Sequence, residues 1–300
     1  MKKIGLLIYL IFATSFTPIA AKYAVSEISP LSLAFFRFGF AFILLLIIFF
    51  FRKNNFKVDK KDFLRFLFLG ALVLPINQFC FLKGVSFSTA SHSGIIYSLT
   101  PLFAFIISIR IKHEKYSHGK LFSIILSIVG IIFIFYENLL NAGKSNTLLG
   151  DILLIFAVLS WSLYLIFSKD MVAKYGAIKT STISFLIGLI LYLPILFYDI
   201  GNVNVNNISL TGYLAFFHLA ILVSFGSYFV FTWSSKFISV SSLTTSLNSS
   251  PLFTIIFSWI LLKENLSYFF LIGASITLAG VFLSQKYKNT TKSDNDMKLF

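Results

Sequence analysis

The chain has 300 residues, 57% of them hydrophobic and only 12% charged, with a formal net charge of +14. A mean hydropathy of +0.88 leaves too few polar side chains to coat a core of this size, which excludes a soluble globular domain and points to an integral membrane protein. The basic excess lies in short loops between apolar runs, where it sets orientation in a membrane and does not read nucleic acid.

A membrane helix needs about 20 apolar residues. Ten stretches qualify: roughly 4–23, 31–51, 63–82, 91–110, 119–136, 150–168, 180–198, 212–233, 241–262 and 268–285. The first, Met1-Lys2-Lys3 running to Ala20-Ala21, has the look of a cleavable signal. Its apolar run is too long for one, and Ser15 and Lys22 match Ser162 and Lys169 at an offset of 147, so a retained helix is expected. Arg37 stands seven residues into the second span, roughly 10 Å below the boundary at about 1.5 Å per residue. A charge at that depth either binds a substrate carboxylate or satisfies carbonyls of a neighbouring helix. Asp59-Lys60-Lys61-Asp62 opens the third span and reads as helix capping. Farther along, Asn77 and Gln78 follow Pro75 at an expected kink that either faces substrate or holds another helix by hydrogen bonds. The single cysteine, Cys80, excludes an intramolecular disulfide framework and reads as a small apolar packer.

The fourth span carries Ser91-His92-Ser93, Tyr97, Ser98 and Thr100 before Pro101, and the ninth carries Ser241-Ser242, Thr244-Thr245-Ser246 and Asn248 before Pro251. Such runs are costly against lipid and suited to a wet cavity. Between them, His113-Glu114 and His118 have a spacing one residue too long for two zinc ligands on one helix face, and Glu114 and Glu264 read as interfacial charges at short turns. Trp161, Tyr164 and Tyr228 either add an aromatic wall or serve as packing and interfacial anchors. His92 and His218 are candidates for proton coupling, although both fall near span ends. Asp151 and Asp199 also fall at span ends, so no buried carboxylate is expected to partner them. The residues after Tyr287 read as a disordered tail, 286–300. No nucleotide loop, nucleophile elbow or Cys/His cluster occurs, so neither an enzyme nor a cofactor or metal site is expected.

Two halves of the chain repeat each other. Pro101-Leu102-Phe103, Glu114, Ser117, Leu121 and Gly130 recur as Pro251-Leu252-Phe253, Glu264, Ser267, Leu271 and Gly280, at an offset of 150. Residues 1–136 and 150–285 are the expected units. Each has five spans, an odd number, so the halves must cross the membrane in opposite senses, the inverted architecture of alternating-access carriers. Ser123, Ser127 and Gly130, matched by Gly273, Thr277 and Gly280, are expected packing faces, within a repeat or between subunits of a homodimer. With the N-terminus inside, twenty Lys and Arg face the cytoplasm and four face out, which places both termini in the cytoplasm.

These residues resemble the drug/metabolite transporter superfamily, EamA type: a Pro-Leu-Phe in the fourth span, a Glu soon after, a late Gly in the fifth, all duplicated, with Arg37-Phe38 similar to that family's Arg-Phe element and Trp161 to its tryptophan. Thr14 stands where the first half would carry the matching tryptophan. The resemblance implies an all-α membrane protein of ten helices, a secondary carrier, often an exporter, and a central cavity with the fifth and tenth spans outside it. The expectation is a carrier of small metabolites, amino acids first, in a bacterial cytoplasmic membrane, with Arg37, Asn77, Gln78, Tyr97, Trp161, Tyr164, Tyr228 and Asn248 lining the path. The alternatives are a membrane enzyme acting on lipid or isoprenoid, for which the cytoplasmic loops offer only Asp59, Asp62, Glu114 and Asp170, and a non-transporting partner subunit.

Overall fold

The computed structural model describes residues 2–111, 118–140, 147–202, 207–227, 230 and 249–286. Ten apolar helical stretches lie among them. Seven are long and apolar enough to cross a membrane, and Leu121–Tyr136, Ser250–Leu261 and Tyr268–Ser284 are shorter. Large apolar side chains cover the outside, with Ile43, Phe122 and Ile190 more than half exposed, while Arg37, Asn77 and Asp151 are buried within. This inside-out distribution suits a lipid surround.

Several spans are broken, and the π-helical irregularity of the third recurs in the eighth. The first span comprises Lys2–Ser15 and Thr17–Glu27, interrupted at Phe16 just before Pro18. In the third, Phe63–Ala71 passes through a π-helical turn, Leu72–Ile76 with Pro75 inside, into Asn77–Phe87. The eighth shows the same irregularity, Leu210–Phe217 followed by π-helical His218–Ser227, so Leu72 and Leu219 are related at the offset of 147. The fourth breaks between Ala90–Tyr97 and Thr100–Arg110, with Pro101 in the opening turn of the second piece; in the ninth, Pro251 opens Ser250–Leu261 in the same way. Proline is tolerated in a first turn, where its missing N–H costs nothing, and a π-turn absorbs the register lost at an interior proline. By contrast the second (Pro30–Phe51), sixth (Thr147–Tyr175) and seventh (Ala177–Asp199) spans run unbroken, Pro194 notwithstanding.

The fifth (His118–Leu140) and tenth (Tyr268–Lys286) spans pack on each other through their small residues. Gly130 and Gly280 lie so close to the opposite backbone that a Cβ on Gly130 would sit 2.5 Å from Gly273 O, and one on Gly280 2.7 Å from Ser123 O. Ser127 Oγ donates to Thr277 O at 3.2 Å. The small-residue faces therefore join the two repeats of one chain.

Candidate functional site

Arg37 is 4% exposed and sits beside the breaks of the third and eighth spans. Its Nε donates to Ser224 Oγ at 2.7 Å and to Leu219 O at 3.2 Å, and its Nη1 to Gln78 Oε1 at 3.1 Å. Gln78 Nε2 donates to Asn77 Oδ1 at 2.6 Å; Asn77 Nδ2 in turn donates to Ala157 O at 2.7 Å and reaches Tyr97 Oη at 3.4 Å. Four of the anticipated residues thus form one string, tied to the sixth and eighth spans. Both readings of Asn77 and Arg37 as holders of backbone carbonyls are met, and Arg37 has no carboxylate partner among the described residues. Ser160 Oγ donates to Leu72 O at 2.8 Å, and Thr254 Oγ1 to Ser15 O at 2.8 Å, which satisfies carbonyls next to the breaks of the third and first spans.

The other candidates divide. Trp161 and Tyr164 stack on each other, centroids 5.5 Å apart, one turn beyond Ala157. His218 lies at the start of the π-helical segment with Nε2 3.3 Å from Ala13 O and its ring 5.2 Å from Phe16, beside the break of the first span and deeper than its sequence position suggests. Tyr228 and Asn248 lie outside the described residues. In the fourth span the hydroxyls are packed and not arrayed on a surface: Ser98 Oγ bonds Ile95 O at 2.6 Å and Thr100 Oγ1 bonds Tyr97 O at 2.7 Å.

At the end of the molecule that carries Glu264, the structure corrects two expectations. Asp151 and Asp199 are not exposed span ends; they are 0% and 4% exposed. Asp151 Oδ2 lies 2.9 Å from His92 Nδ1, its other oxygen accepts from Ser88 Oγ, and Lys22 Nζ donates to Ser88 O and to Val85 O. The imidazole stacks on Phe270, 5.1 Å between centroids. A buried carboxylate is therefore available to His92, because helix packing covers the end of the sixth span. Glu264 is likewise not a merely interfacial charge, since it holds the backbone N–H groups of Ala90 and Ser91. Two further acids do the same for other spans: Asp199 Oδ2 accepts from Ser32 N at 3.0 Å, and Glu27 Oε2 from Ser209 N at 2.6 Å. Carboxylates at helix N-termini satisfy free N–H groups and complement the dipole. Their only trace in the sequence is an acid placed just past an apolar run.

The opposite end holds a third correction. Neither Asp59 nor Asp62 makes a side-chain cap. Asp62 Oδ2 instead accepts from Lys174 Nζ at 2.6 Å and Tyr175 Oη at 2.7 Å, and Lys174 also bonds Asp59. The long cation of the sixth span outcompetes the local N–H groups because two acids face it at once.

The sequence pattern of the EamA-like transporter family matches residues 1–136 and 148–285, the two five-span halves. The chain belongs to the EamA-like transporter family. An Archaeoglobus fulgidus protein described as an uncharacterized transporter is 30% identical over 278 residues, covering 92% of this chain and 93% of its own. The Bacillus subtilis uncharacterized transporters YetK and YyaM are 26% and 24% identical, covering 89% and 94% of this chain and 81% and 93% of theirs. A solved structure described as "Crystal structure of protein" superposes with a TM-score of 0.61 at 13% identity, covering 94% of this chain and 96% of its own, so the fold is shared. As an EamA-like transporter the chain is a multi-pass membrane protein with two repeats and a general role in transport.

Proposed function

We propose that this EamA-like transporter is a secondary carrier that moves a small metabolite, an amino acid or related compound, across the cytoplasmic membrane by alternating access. The observation that carries the reading is the string from Arg37 through Gln78 to Asn77, buried at the level of the helix breaks. Arg37 and Asn77 belong to the first repeat and bond Leu219, Ser224 and Ala157 of the second, so rocking of one half against the other must exchange these bonds. A substrate that supplies replacement partners makes that exchange favourable, which is how binding drives the transition. The membrane-enzyme alternative loses reagents, because Asp59 and Asp62 are engaged by Lys174.

The test is transport by purified protein in proteoliposomes offered a pooled panel of amino acids and other metabolites, read by mass spectrometry with and without a pH gradient. Accumulation of one solute class, lost in Arg37→Ala protein that remains folded, supports the carrier. Undiminished transport by Arg37→Ala removes Arg37 from the path, and no movement of any solute by folded protein counts against the carrier itself.

A further inference from the structure

We infer that the solute carried is a monoanion, bound through a carboxylate at Arg37. This inference rests on the carrier reading and replaces its amino acid with a solute of one net negative charge. Among the described residues Arg37 is the one buried Lys or Arg, and the buried acids Asp62, Asp151 and Asp199 lie in the end turns of their helices. The guanidinium is 4% exposed, and the partners it has are neutral: Leu219 O, Ser224 Oγ and Gln78 Oε1. A buried charge left uncompensated is expensive, and helix packing tolerates it where a transient partner completes it. Nε and Nη1 are engaged while Nη2 has no hydrogen-bond partner among the described residues, which leaves one edge of the planar fork for an incoming carboxylate.

Tyr97 Oη lies 3.4 Å from Asn77 Nδ2, so a guanidinium, an amide and a phenol stand along one string. One positive charge matches a carboxylate, whereas a phosphate monoester, at about −1.5 to −2 near neutral pH, would leave excess negative charge buried. A zwitterionic amino acid would bring an ammonium to a depth at which the sequence places no Asp or Glu.

Two measurements on the full-length protein test the inference. The first follows thermal unfolding in detergent with acetate, acetamide or methylammonium at constant ionic strength. Acetate should raise the midpoint and the other two should not. Gln78→Glu, which sets a carboxylate beside Arg37, and Arg37→Gln should each abolish that difference. The second offers proteoliposomes pooled carboxylates, zwitterionic amino acids, polyols and amines. Carboxylates should accumulate, with at least a tenfold loss in Gln78→Glu. Equal effects of acetate and acetamide on the wild type overturn the anion site whether or not the variants fold. Accumulation of zwitterions or amines, or undiminished carboxylate flux in Gln78→Glu, overturns it while leaving the carrier intact. An acetate-specific shift with no solute crossing leaves the anion site standing and removes the carrier reading.

Discussion

Glu264 clasps Ser91: one carboxylate oxygen accepts the Ser91 N–H at 3.0 Å and its hydroxyl as well, while the other takes the Ala90 N–H at 2.7 Å. The Ser91 hydroxyl is shared in addition with Ser258. The turn after the ninth span, in the second repeat, is thereby fastened to the start of the fourth span, in the first. With Asp199 at Ser32 and Glu27 at Ser209, three acids hold three helix N-termini at one end of the molecule.

Removing that clasp should be costly. Glu264→Ala leaves two helix N–H groups and a hydroxyl without their charged acceptor, a loss of about 1–3 kcal/mol. Glu264→Gln, which keeps one acceptor oxygen, should lose less. Unfolding of the purified protein in detergent gives the order; equal stability of all three proteins would show that the contact contributes nothing.

The His92–Asp151 contact is buried on both sides, and Asp151 also accepts from Ser88, so removing Asp151 takes an acceptor from two groups at once. Asp151→Ala should destabilise by about 3–5 kcal/mol. The double variant with His92→Phe should lose less than the sum of the singles, because the two removals share one interaction. Additivity in a double-mutant cycle would show that the two side chains act independently.

Gly130 allows no side chain, since even a Cβ would approach Thr277 N to 2.6 Å, a backbone contact that cannot rotate away. Gly130→Ala should therefore push the fifth and tenth spans apart and cost about 1–3 kcal/mol. The same exchange at Gly5, which meets nothing within 4 Å, should be close to neutral. Comparable unfolding midpoints for the two variants would argue against the close packing of these spans.

Asn77 joins the third span to the sixth through Ala157 O and holds the amide of Gln78. Asn77→Ala should lower transport at least tenfold with a modest stability loss of about 1–2 kcal/mol. Asn77→Asp can accept from Gln78 and cannot donate to Ala157 O, so it should transport no better than the alanine variant. Wild-type flux from either protein would place Asn77 outside the path.

Much of this architecture was legible in the chain alone. Ten apolar runs, a 150-residue offset and an odd number of spans per unit determined a duplicated membrane fold, because lipid admits few alternatives to apolar helices of a set length. Pro75 marked the break of the third span, since a missing N–H acts within one turn of itself. Arg37, Asn77, Gln78 and Tyr97 stood out as polar groups at apolar depth, and packing drew them into one string. What the sequence could not supply was the pairing of groups far apart in the chain. His92 meets Asp151 across 59 positions, Asp62 meets Lys174 across 112, and Glu264 meets Ser91 across 173. Local pattern assigned Asp62 to a cap and Asp151 to an exposed end, because periodicity and helix-terminus chemistry report only neighbours within a few residues. Which carboxylate is buried, and which cation or N–H group it faces, is decided when separate helices pack and exclude solvent. That step belongs to the tertiary structure.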